Sequence, residues 1–206
     1  MSPAAEGRWR RGTDVLLAVT ALVLLAPLIV AVAGLIRWRL GSPVLFRQRR
    51  VGLRGKEFLI LKFRTMCEPA RPGQPDSERC TGLGRFLRRT SMDELPQLVN
   101  ILRAEMSVIG PRPTLPEQVR RYNREQLGRL AVRPGLTGWA QVLGRNSLSW
   151  PERIMLDLWY IEHRGWRLDL RILLLTLAQL VRPRGVVGTG GVNPGFPLDR
   201  TGENML

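Results

Sequence analysis

Residues Val15 to Ile36 form a 22-residue run without a charge. As a straight α-helix the run would measure about 33 Å, close to the roughly 30 Å hydrocarbon core of a bilayer. It is too long for a signal peptide's apolar core, and no good small-residue cleavage site follows it. Pro27 sits near its centre, where proline removes a backbone hydrogen bond and kinks a helix. Basic residues flank both ends, with Arg8, Arg10 and Arg11 before the run and Arg37 and Arg39 after it. Basic flanks favour the cytoplasmic side. Two topologies stay open on these features: a simple span, or a bent hairpin that enters and leaves through one leaflet.

After the run the period changes. Across Pro43–Met66, Val44, Phe46 and Gln48 alternate with Leu45 and Arg47, and Phe58, Ile60 and Lys62 with Leu59, Leu61 and Phe63. With a turn at Gly52–Gly55, this predicts a β-hairpin. Cys67–Cys80 is rich in Pro, Gly and charge and predicts a loop. Gly82–Arg89 predicts a short helix. Leu95, Leu98, Val99 and Leu102 predict the buried face of a helix over Asp93–Met106. Ser91 and Glu94 fit a capping box, while Pro96 favours a later start with Asp93 as N-cap. Either start leaves Asp93 and Glu94 in the first helical turn, where the helix dipole favours their ionised forms.

Gly110-Pro111-Arg112-Pro113 breaks the chain. Pro116–Leu130 predicts a polar helix, Arg133–Arg145 a glycine-punctuated loop, and Pro151–His163 and Leu168–Val181 two further helices. The last is apolar nearly all round, so it is either core or pressed against a bilayer. The fold class is mainly α with a short β-hairpin (α+β). The division is a membrane anchor over 1–40, a catalytic domain over 41–185 and a Gly- and Pro-rich tail over 186–206.

Composition narrows the partners. The formal net charge is +15, and Arg supplies nearly all of the 32 positive side chains. Nucleic acid, anionic lipid or phosphorylated substrates all suit such a balance. Cys67 and Cys80 make neither a disulfide scaffold nor a metal motif, which fits a reduced compartment. One histidine, His163, excludes any site built from several imidazoles.

The candidate chemistry centres on Asp93 and Glu94. Arg64, Arg85, Arg88, Arg89, Arg112, Arg133 and Arg145 fall on loops or element ends around this pair in sequence. Guanidinium forks suit phosphate oxygens. One or two carboxylates plus substrate phosphates are the usual holders of Mg²⁺, and a carboxylate can also attack phosphorus. Capping alone would explain two acids at a helix start, so both readings stand at this point. Gly188-Thr189-Gly190-Gly191 lacks the lysine and following helix of a phosphate loop. The prolines around Arg112 hold it rigidly.

Four segments carry a resemblance: KFRTM (Lys62–Met66), LRRTSMDELPQLVNILRAEMSVIGPRP (Leu87–Pro113), RPGLTGWAQVLGRN (Arg133–Asn146) and LDLWYIEH (Leu156–His163). In identity, order and spacing they resemble the small monotopic polyprenyl-phosphate phosphoglycosyl transferases of bacteria, also called bacterial sugar transferases. The resemblance implies transfer of a sugar 1-phosphate from a UDP-sugar to polyprenyl (undecaprenyl) phosphate with release of UMP, the first membrane step of surface glycan assembly. It implies Asp93 as nucleophile, Glu94 beside it as a Mg²⁺ partner, and Lys62, Arg64, Arg88, Arg112 and Arg145 on substrate phosphates. It further implies a re-entrant anchor broken near Pro27, inner-leaflet lipid contact on the cytoplasmic face of the bacterial inner membrane, and no nucleic-acid partner. The family often has Ser-Pro at the break, where this chain has Ala26-Pro27. Larger relatives carry an additional N-terminal transmembrane domain, and this chain resembles the minimal unit. Two rival expectations are direct attack by the lipid phosphate in a ternary complex and a non-catalytic, membrane-tethered polyanion binder.

Overall fold

The computed structural model describes residues 3–68, 70–71, 74–144 and 147–181. The expected tail over 186–206 lies outside them. Helix α1 (Pro3–Leu40) is followed by strands β1 (Leu45–Val51) and β2 (Glu57–Phe63), helices α2 (Asp76–Arg79), α3 (Gly82–Arg89) and α4 (Gln97–Leu102), and strand β3 (Ser107–Ile109). Then come α5 (Pro116–Val119), β4 (Gly135–Thr137), α6 (Trp139–Leu143), α7 (Trp150–His163) and α8 (Trp166–Val181). The strands make two two-stranded sheets, β1–β2 and β3–β4. The mainly helical fold with a short hairpin agrees with the sequence pattern.

The chain divides into two compact units, residues 1–48 with 59–108 and residues 49–58 with 109–206. In the first, Val32 and Ile36 of α1 form a core with Phe63 of β2 and Leu87 of α3. In the second, Trp139, Val142, Tyr160 and Ile172 form a core from α6, α7 and α8.

Helix α1 is helical throughout, with Pro27 inside it, so the expected break is not an interruption of secondary structure. Only 11% of its most apolar window is buried by protein, whereas the core helix of a soluble protein is mostly covered. That exposure and its length mark a membrane segment. Its buried positions, Asp14 and Ala18 before Pro27 and Val32 and Ile36 after it, fall in two pairs at i, i+4 spacing.

The helix expected over Asp93–Met106 is shorter and starts later. Ser91 adopts a left-handed conformation (φ 58) and makes no side-chain cap, so the expected capping box does not form. Asp93 and Glu94 lie instead in a 3-10 turn, Met92–Glu94, and Pro96 is the N-cap of α4. At the other end Ala104 is left-handed (φ 61) and stops the helix.

The helix expected over Pro116–Leu130 is also divided. Asn123 Oδ1 accepts from the Gln126 N–H at 2.8 Å, and Gln126 Oε1 accepts from the Asn123 N–H at 3.1 Å. This local exchange starts a separate 3-10 turn, Gln126–Ala131, instead of prolonging α5. Arg133–Arg145, expected as a loop, contains β4 and α6.

One buried side chain joins β2 to α4. Asn100, 0% exposed, accepts from the Leu61 N–H at 3.0 Å and donates to the Leu59 carbonyl at 2.8 Å. It also donates to Glu105 Oε2 at 2.6 Å. Asn100→Leu would orphan two backbone groups, at about 1–3 kcal/mol each. We expect it to destabilise the folded chain by about 2–4 kcal/mol, read as a shift in denaturant midpoint in detergent.

Candidate active site

Each unit carries part of the predicted site, and each is described by itself. In the first, the 3-10 turn presents the acidic pair. Asp93 is buried, and Glu94 Oε1 accepts from Lys62 Nζ at 2.7 Å, both side chains being 17% exposed. Lys62 comes from β2, two residues before Arg64. Helix α3 packs on the turn and carries Arg88. The Arg88 Nε–H donates to Thr65 Oγ1 at 3.0 Å, which orients this guanidinium. Thr81 caps α3, its hydroxyl accepting from the Gly84 N–H at 2.9 Å. Gly84 is required there, because a Cβ would overlap the Thr65 carbonyl oxygen.

The structure therefore brings Lys62, Arg88, Asp93 and Glu94 into one unit around one turn. Arg64 is differently engaged. It is buried and donates to the Leu40 carbonyl and, at 3.1 Å, to the Ser42 carbonyl, with Glu68 3.7 Å away. Its guanidinium clamps the end of α1. Thr65 and Asn100 escaped the motif reading. Asn100 had a signal, a polar residue amid Leu98, Val99, Ile101 and Leu102.

The second unit holds Arg112. Three glycines fix its loop: a Cβ on Gly135 or Gly138 would overlap the backbone of Gly110, and one on Gly110 would overlap that of Arg133. The Gly110 N–H donates to the Thr137 carbonyl and the Gly135 N–H to the Pro111 carbonyl, both at 2.9 Å. The Arg112 side chain is exposed, while its carbonyl accepts from Arg129 Nη2 at 3.2 Å.

Arg129 is itself buried. Its Nε and Nη2 donate to Asp157 Oδ2 at 3.0 and 2.6 Å, and its Nη1 donates to the Tyr122 hydroxyl. For Asp157, burial pushes the carboxyl above the usual carboxylate range, with Arg129 opposing. For Arg129, burial works downward, but Asp157 and Tyr122 outweigh it and the guanidinium is held above its ordinary value. Two short bonds to one oxygen support the ion pair. Nearby, Arg153 is lowered by burial and further by the like charge of Arg112. The Gly-Pro-Arg-Pro loop thus lies in positive surroundings, beside a small open cleft lined by Gly52, Pro111, Arg112, Thr114, Arg129 and Pro134. Arg145 lies outside the described residues.

Among the described residues, no three His, Cys, Asp or Glu side chains form a metal cluster. Asp93 and Glu94 are two adjacent carboxylates, the donor type that Mg²⁺ takes, and Glu94 is engaged by Lys62.

An apolar anchor, a small α+β body, and an acidic pair amid cations define a membrane-associated group-transfer enzyme handling phosphorylated substrates. The family model for bacterial sugar transferases matches residues 5–183, and the chain belongs to that family. It is 41% identical over 186 residues to the uncharacterized sugar transferase EpsL of Bacillus subtilis (strain 168), covering 89% of this chain and 92% of that protein. It is 40% identical over 183 residues to the UDP-glucose:undecaprenyl-phosphate glucose-1-phosphate transferase of Xanthomonas campestris pv. campestris, covering 82% of this chain and 38% of that protein. It is 39% identical over 183 residues to the UDP-N-acetylgalactosamine-undecaprenyl-phosphate N-acetylgalactosaminephosphotransferase of Aeromonas hydrophila, covering 84% and 43%. The chain is accordingly a transferase.

Removing one member of a buried pair leaves an uncompensated charge. Arg129→Gln is expected to cost about 3–5 kcal/mol, and the double change Arg129→Met with Asp157→Leu to recover most of it. Unfolding midpoints of the two variants check this.

Proposed function

We propose that the chain moves a sugar 1-phosphate from a UDP-sugar to polyprenyl (undecaprenyl) phosphate and releases UMP, as the first membrane step of surface glycan assembly. The observation that carries this reading is the buried Asp93 beside an ion-paired Glu94, on a turn packed by the Arg88 helix. The named activities of the Xanthomonas and Aeromonas relatives support the donor and acceptor classes. Their sugars differ, so the sugar is left unassigned.

In the first step a carboxylate oxygen of Asp93 attacks the phosphorus that bears the sugar. A new P–O bond forms, the diphosphate P–O bond breaks, and UMP leaves with the electron pair. In the second, an oxygen of the polyprenyl phosphate attacks the same phosphorus and returns Asp93 to a free carboxylate. Lys62 fixes the Glu94 carboxylate beside Asp93. Arg88, Arg112 and Arg145 are assigned to substrate phosphates from their motif positions. Glu94 and Asp93 would hold Mg²⁺, whose charge would offset that of the diphosphate.

The anchor is proposed to be re-entrant, on the cytoplasmic face and in contact with inner-leaflet lipids. Support comes from the burial pattern of α1. Asp14 and Ala18 precede Pro27, Val32 and Ile36 follow it, and all four are buried within the first unit. A straight span would separate residues 14 and 36 by about 33 Å. Re-entry also leaves Arg11 and Arg37 on one side.

Three outcomes are expected. With UDP-sugar and Mg²⁺ but no acceptor, peptide mass spectrometry finds a phosphosugar on Asp93, and Asp93→Asn loses both adduct and turnover by at least about 10³-fold. Full turnover without an adduct, together with an active Asp93→Asn, would sink the covalent route. Chelation with EDTA abolishes turnover and Mg²⁺ restores it. In sealed inside-out vesicles, probes at both chain ends are labelled from the outside; labelling of one end alone contradicts re-entry.

A further inference from the structure

The amino-terminal part of α1 is fastened to the end of α4 and the start of β3 by four hydrogen bonds. Arg11 Nη1 donates to the Ile101 carbonyl at 2.6 Å, and Nη2 donates to the Leu102 carbonyl at 2.9 Å. Three residues on, Asp14 Oδ1 accepts from Ser107 Oγ and from the Val108 N–H, both at 2.8 Å. Asp14 is 7% exposed, and Ala18, one turn further, is 0% exposed. Residues 11, 14 and 18 share one helical face. A small residue at 18 permits close approach, and a guanidinium on the carboxyl end of α4 complements its dipole.

These contacts sit where the apolar run begins, since Val15 is the first residue of the uncharged stretch. They hold the carboxyl end of α4 and the start of β3 at the boundary between polar chain and membrane segment. The amino end of α4 follows Glu94 after only Leu95 and Pro96. Six residues of helix measure about 9 Å, so a fixed α4 fixes how far the acidic pair stands from that boundary. The donor arrives from water, but a polyprenyl phosphate arrives at the depth of the headgroups. Misplacing the pair would penalise attack on the lipid acceptor before it penalised donor binding.

We propose that Arg11 and Asp14 are positioning residues for the acceptor step: they latch the membrane helix to α4 and set the depth at which the acidic pair meets a lipid phosphate. This rests on the reading of Asp93 and Glu94 as the reacting pair.

The test uses the full-length chain in lipid nanodiscs, with UDP-sugar and undecaprenyl phosphate varied separately. Arg11→Gln and Asp14→Leu are expected to lower kcat/KM for the lipid acceptor on the order of ten- to a hundredfold while KM for the donor stays within about twofold. Asp14→Asn keeps an acceptor oxygen and is expected to restore most of the acceptor value. Amide exchange at Val108 accelerates in Asp14→Leu and stays near wild type in Asp14→Asn. Faster exchange with unchanged acceptor kinetics overturns the proposal. So does a parallel loss of donor and acceptor parameters with a lowered melting point, which is a structural role only. Asp93→Asn, run alongside, judges the nucleophile separately. Its persistence in activity would overturn the reacting-pair reading, whereas the acceptor split and Val108 exchange judge the latch.

Discussion

The amide of Asn100 sets the geometry around the acidic pair. Its oxygen and nitrogen take the Leu61 N–H and the Leu59 carbonyl, so one side chain stands where a neighbouring strand would otherwise pair with β2. That contact fixes the position of β2 along α4. Lys62 is the next residue on the strand, and Glu94 lies just ahead of the helix. Their 2.7 Å ion pair therefore follows from the register. A slip of one residue in β2 would turn Lys62 to the opposite face. A partly solvated ion pair contributes little stability by itself. Here its importance is positional, and the buried amide supplies the position.

Long elements were legible from the residues alone: the apolar run of α1, the alternation of β1 and β2, and the existence of α7 and α8. The helix holding the acidic pair was legible only in part. A hydrophobic pattern registers Leu95, Leu98 and Val99 but is blind to a left-handed backbone at Ser91 and Ala104. Those two residues turn one expected helix into a 3-10 turn followed by a short α4. Strands β3 and β4 are three residues each, too short to show a period. The motif reading named Asp93, Glu94 and Arg88 within one short segment, and it took Lys62, 32 residues before Glu94, from a separate motif whose contact with Glu94 no spacing shows. It could not separate Arg64 from them, since a charge in a motif does not name its partner. Arg129 and Asp157 lie 28 residues apart, and spacing alone joins no such pair.

The second unit uses a different means of rigidity. Around Gly110 the backbones of two loops approach too closely for any Cβ, so shape fixes their relation. Below them Arg129 spends its donors on Asp157, on Tyr122 and on the Arg112 carbonyl. A buried ion pair contributes little net stability compared with apolar packing, but it is intolerant of losing one partner. Its consequence here is directional. The Arg112 carbonyl is held by a group that is itself held, so this exposed arginine stands on a fixed backbone.

The anchor and the body of the first unit complete each other at the level of backbone hydrogen bonding. A helix leaves its last carbonyls without intrahelical partners, and those groups need donors. At the end of α1, Arg64 from the segment after β2 donates to the Leu40 and Ser42 carbonyls. At the end of α4, Arg11 from α1 donates to the Ile101 and Leu102 carbonyls. Each piece thus lends an arginine to the open end of the other's helix. A flexible tether would require neither contact, since lipid affinity alone would retain the chain at the bilayer. Two reciprocal caps, with Asp14 buried between them in sequence, instead make the membrane helix a part of the body's fold. The proposed acceptor, a lipid phosphate confined to the bilayer, gives that arrangement its sense. A reaction between one soluble and one membrane-bound substrate depends on where the reacting group stands relative to the lipid, and a rigid joint transmits that distance where a tether would not.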